Sequence, residues 1–160
     1  MLKIKKDVSA FLSLILAYLA LGVIGIVAAV VPFFHQFLYD NIFTEVPGDG
    51  TMIGFVIFCY LVLITAAVAD VLLIRLLGNV RRSEIFTASA VAKLRSISWC
   101  CFAECLILMG GSIVFFRIFV FPHAMLIFAF AAAFLGIVLR VVKNVIEEAV
   151  AIKYENDYTI

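Results

Sequence analysis

Residues 8–38 run for 31 positions without one charged side chain, and this constrains the chain more than anything else in it. Crossing a hydrocarbon core of about 30 Å takes about 20 mostly apolar residues in a helix, because every backbone N–H and C=O must be satisfied without water. Three further segments meet that length. The predicted spans are 9–34, 51–77, 96–116 and 118–139; the third carries Glu104 as its only formal charge and the fourth carries none. The fold class expected is therefore all-α, a polytopic integral membrane protein with four transmembrane helices in a single membrane domain, 1–160. Lys3, Lys5 and Lys6 before the first run imitate a secretory signal. The apolar core of such a signal is only about 7–15 residues, so the first span is expected to be retained.

Composition agrees: 66% of residues are hydrophobic and 14% charged, against about 45–50% and 25% in soluble domains. A formal net charge of +1 gives no hint of nucleic-acid binding. Where the charges fall is more telling. Of 12 Lys and Arg, 11 cluster before the first span, around the central loop (Arg75, Arg81, Arg82, Lys93, Arg95) and after the last span (Arg140, Lys143, Lys153); Arg117 alone lies on the other face. Cytoplasmic segments retain positive charge, so both termini, the loop 78–95 and the tail 140–160 are assigned to the cytoplasm. The outer connection holds Asp40, Glu45 and Asp49 and the turn-forming run Pro47-Gly48-Asp49-Gly50. Trp99 and Tyr39 suit interfacial positions.

Beyond the fourth span, Val141, Val142, Val145, Ile146, Ala149, Val150 and Ile152 fall at helical spacing with Lys143, Asn144, Glu147 and Glu148 opposite. This predicts that an amphipathic helix continues out of the membrane. Pro122 within the short connection 117–123 predicts a tight hairpin between the third and fourth helices. Small residues let backbones approach in lipid. Ala129, Ala132, Ala133 and Gly136, with Gly110 and Gly111, are read as contacts within one bundle, a homo-oligomer seam being the alternative.

Asp70 and Glu104 most need explaining, since an acid at mid-membrane costs about 2.5–3.5 kcal/mol on insertion scales. Each lies about eight residues, roughly 12 Å, from the cytoplasmic end of its helix, so the two are expected at one depth. They form either a polar clasp between the second and third helices, with one acid protonated, or a proton or cation site, with Arg75 as a candidate partner. Cys59, Cys100, Cys101 and Cys105 all lie in apolar runs and are expected as free thiols. Cys101 with Cys105, and His35 with His123 and Asp40, are read as packing and solvated residues rather than metal ligands, so no metal or cofactor is expected. No phosphate loop, zinc-protease helix or nucleophile elbow occurs, and an enzyme is not expected.

The run Glu84-Ile85-Phe86-Thr87 with Leu94-Arg95, and the ending from Glu148 through Tyr154, Glu155, Asn156, Asp157, Tyr158 and Thr159 to Ile160, resemble the uncharacterised bacterial membrane-protein family of domain of unknown function 2975. That resemblance implies a four-helix protein of the bacterial cytoplasmic membrane without assigned activity. Its members are often encoded beside a small Cro-like helix-turn-helix regulator. The function expected is accordingly regulatory: a membrane anchor whose basic loop (Arg81, Arg82) and tail (Glu155, Asn156, Asp157, Thr159) bind a cytoplasmic partner, the tail by docking or by adding a strand. A small proton- or cation-coupled transporter using Asp70 and Glu104 is the alternative.

Overall fold

The computed structural model describes residues 6–33, 48–81, 87–116 and 122–157. Four long helices dominate: α1 (Lys6–Val30), closed by a 3-10 turn at Val31–Phe33, then α2 (Asp49–Arg81), α3 (Ala88–Val114) and α4 (Pro122–Asp157). All four are long and apolar enough to cross a membrane. Their outward faces are themselves apolar, with Leu16 68% exposed and Ile26, Ile57, Leu106 and Phe130 similarly bare. A water-soluble protein does not leave contiguous apolar surface on this scale.

Local chemistry sets the helix ends. Thr87 has extended backbone, and its hydroxyl accepts a hydrogen bond from the Ala90 amide at 3.3 Å, capping α3. Proline fits the first turn of a helix because the N–H it lacks would be unsatisfied there, and α4 begins on Pro122. The Gly48 carbonyl accepts from the Thr51 and Met52 amides at 2.9 and 3.1 Å, so α2 begins at Asp49, within the turn-forming run. Helix also occupies 78–81 and 88–95, most of the stretch expected as loop.

Successive helices run antiparallel. Tyr60 on α2 donates to the Ala28 carbonyl on α1 at 3.1 Å, while Arg81 lies over the Phe11 ring at 5.9 Å. The Phe55, Phe58 and Phe115 rings join α2 to the end of α3, with centroids 5.6 to 6.3 Å apart. Between α3 and α4, Ser98, only 3% exposed, donates to the Gly136 carbonyl at 2.8 Å. The α3–α4 interface is the most extensive, α2 packs on α3 and α1 on α2. Among the described residues α1 meets neither α3 nor α4 helix to helix, so the four helices form an open row rather than a closed bundle.

Small residues work within the chain as expected. A side chain at Gly136 would press on Cys101 and Phe102 at 3.3 Å, one at Gly111 would overlap the Phe58 ring, and Ala129 is buried. Gly110 is different, with open space beside it.

The tail departs from its expected face. Helix α4 is unbroken to Asp157, but Val141, Val142, Val145 and Ile152 are exposed whereas Lys143, expected on the polar side, is only 15% exposed. Its packed side is set by register with α3. Gly136, Lys143 and Val150 repeat at sevens along one stripe, and Ala90, Val91 and Leu94 are buried at the facing end of α3.

Candidate functional site: an acid-lined groove

A groove of about 380 Å³ opens where all four helices contribute side chains: Ala20 and Ile24 from α1, Thr65 and Asp70 from α2, Cys100, Cys101 and Glu104 from α3, and Ala132 and Leu135 from α4. It exists because α1 and α4 stay apart across the row, leaving α2 and α3 as its floor. Ala66, Ala69 and Ala132 leave the volume unfilled. A second groove of about 470 Å³ lies beside it, and Glu104 lines both.

Asp70 and Glu104 both line this groove, but not at one depth: with Gly111 packed on Phe58 and Thr65 beside Glu104, the antiparallel register of α2 and α3 offsets Asp70 from Glu104 by about five residues along the helices. Oδ2 of Asp70 and Oε2 of Glu104 are each buried and accept no hydrogen bond. Thr65 sits within hydrogen-bonding reach of Glu104, while its hydroxyl donates to the Leu61 carbonyl one turn back. A carboxylate oxygen held without a donor is expensive in an apolar setting. Protonating either acid would turn it into a donor, and a cation entering the groove would satisfy the carboxyl oxygen it meets. Arg75, the candidate partner, is exposed on α2 and outside the groove, and no ion pair joins it to either acid. The groove is otherwise apolar.

All four cysteines are free thiols. Cys100 and Cys101 face the groove, whereas Cys105 contacts the Met109 sulfur at 3.9 Å. Among the described residues no group of three or more His, Cys, Asp or Glu is placed to hold a metal ion. His123 is exposed and stands 6.3 Å from the Phe116 ring; His35 and Asp40 lie outside the described residues.

The partner-binding candidates divide. Arg81 is exposed at the end of α2 and Glu155 is exposed near the end of α4. Asn156 and Asp157 also belong to α4, so residues 155–157 are helix here rather than strand, and 158–160 lie outside the described residues. Its helix persists because nothing from Ile137 to Asp157 is Gly or Pro. The side chains of Asn156 and Asp157, and all of Arg82 and Thr159, lie outside the described residues.

Sequence reasoning missed a second polar locus. Arg95, Ser98, Arg140 and Lys143 line a pocket of about 60 Å³ between α3 and α4. The signal was present: Arg95 and Ser98 sit three apart on one helix and Arg140 and Lys143 three apart on the next, in antiparallel register.

A family model described as "Protein of unknown function (DUF2975)" matches residues 3–160. The comparisons with curated proteins and with solved structures give no match.

Proposed function

Since this chain belongs to the DUF2975 family of proteins of unknown function, we propose that it is a non-enzymatic protein of the bacterial cytoplasmic membrane that holds a cytoplasmic partner, a small helix-turn-helix regulator. Both termini lie inside the cell in this reading, as the distribution of Lys and Arg indicates. The observation that carries it is the length of α4. Its 36 residues make a rod of about 54 Å, well beyond the roughly 30 Å of a hydrocarbon core. The excess falls at the charged end, where Arg95 and Lys143 both pair with Glu147, at 3.8 and 2.6 Å. Such a stiff, partly apolar helix suits docking of a soluble protein against its exposed Val145, Ile152 and Tyr154.

The test is affinity capture of the tagged chain from membranes in mild detergent, beside a chain lacking residues 155–160. A small DNA-binding protein recovered with the intact chain and lost with the truncated one is the expected result. Recovery unchanged by truncation removes residues 155–160 from the interaction.

One observation favours a second reading, small proton- or cation-coupled transport: Asp70 and Glu104 line one groove, each with an unpartnered oxygen. Under it, Asp70→Asn or Glu104→Gln abolishes flux in proteoliposomes. Equal flux in variants and wild type ends that reading.

A further inference from the structure

The pocket between α3 and α4 collects more positive charge than the chain neutralises. Arg95, Arg140 and Lys143 line it together with Ser98. Glu147 is the carboxylate paired there, its two oxygens taken by Arg95 and Lys143. Among the described residues Arg140 has no carboxylate partner; its guanidinium lies over the Trp99 and Phe102 rings, at 5.2 and 5.7 Å from their centroids. Stacking leaves the edge of a guanidinium, with its N–H donors, available to an acceptor. The Ser98 hydroxyl is committed to the Gly136 carbonyl and closes the floor without competing for a ligand.

Size and surroundings narrow the ligand. A volume of about 60 Å³ holds about four water-sized groups, which suits one tetrahedral oxyanion and excludes a base or a sugar. Beside it Trp99 is 58% exposed, and Val138, Val141 and Val142 on α4 present bare apolar surface. An Arg–Trp pair above an apolar flank is the arrangement expected at the boundary between headgroups and acyl chains.

We propose that Arg95, Arg140 and Lys143 form a phosphate site between α3 and α4, with the phosphodiester of an anionic lipid headgroup as occupant and free inorganic phosphate as the other source of the same chemistry. Glu147 holds two of the three cations when the pocket is empty and gives them up to the phosphate.

Native mass spectrometry of the full chain released from micelles, after exposure to phosphatidylglycerol, to phosphatidylcholine or to inorganic phosphate, tests this. Retention of phosphatidylglycerol over phosphatidylcholine is expected, falling about fivefold per charge removed in Arg95→Gln/Lys143→Gln. Glu147→Gln, which frees both cations, is expected to strengthen retention, and Arg81→Gln, away from the pocket, to leave it unchanged. Arg140→Lys keeps the charge and loses the stacked fork, so it should weaken retention less than Arg140→Gln; circular dichroism confirms that each variant is folded. If inorganic phosphate binds with the same dependence and the two lipids are retained alike, the soluble ion is the occupant and the site stands. The proposal is overturned if the double variant binds every probe as the wild type does, if Arg81→Gln costs as much as Arg95→Gln, or if Glu147→Gln weakens binding.

Discussion

Gly110 and Gly111 are adjacent in sequence and opposite in consequence. At Gly111 a Cβ would run into the Phe58 ring, and that ring packs with Phe55 and Phe115, so it has little room to retreat. Overpacking of this kind costs about 1–3 kcal/mol, and Gly111→Ala is expected to lower the thermal midpoint in detergent. Gly110→Ala meets nothing and gains roughly 1 kcal/mol of helix propensity, so its midpoint should hold or rise. The pair of glycines was visible in the sequence as a small face. Which one touches a neighbour was not, because that depends on the rotation of α3 about its axis, and hydropathy says little about rotation when every face is apolar. Asp70 and Glu104 were the opposite case, since charge in an apolar run marks a position without any need to know the fold. Counting residues to the helix ends put them at one depth, whereas the register of α2 against α3 sets them at different levels of one groove, and that groove also needs Ala20 and Ile24 of α1, which no sequence feature distinguished.

Among the elements, α3 is the most firmly placed, capped by Thr87 and packed on both neighbours. Replacing an N-cap hydroxyl costs about 1 kcal/mol. Thr87→Ala should therefore speed hydrogen exchange at the Ala88 to Val91 amides and leave the amides around Gly111 unchanged. The four spans were legible because length and hydropathy alone specify them. The extension of α2 and α3 into the central connection was less so, since polar residues there fit loop and exposed helix alike. Lys143 was assigned to the wrong side of the tail for a related reason. Its stem can pack against α3 while its ammonium reaches Glu147, and a long cationic side chain of that kind does not obey a strict apolar-or-polar division.

For the whole molecule, the open row makes stability uneven. Among the described residues Ala17 alone is buried on helix α1, which rests on α2, whereas α3 and α4 share the largest interface and the buried Ser98 hydrogen bond. Local opening follows contact density, so exchange measured by mass spectrometry in nanodiscs should be fastest in α1 and slowest where α3 crosses α4 near Ser98 and Gly136. An exchange rate in α1 matching that of α3 would mean that something besides α2 covers it. At the other end of the row, the absence of Gly and Pro beyond Gly136 makes α4 a torsionally stiff shaft. Each residue advances the azimuth by about 100°, and contacts with α3 fix the phase as far as Val150. The terminal turns are consequently clocked to α3, and Ile152 and Tyr154 are presented at one compass bearing rather than swept around the shaft.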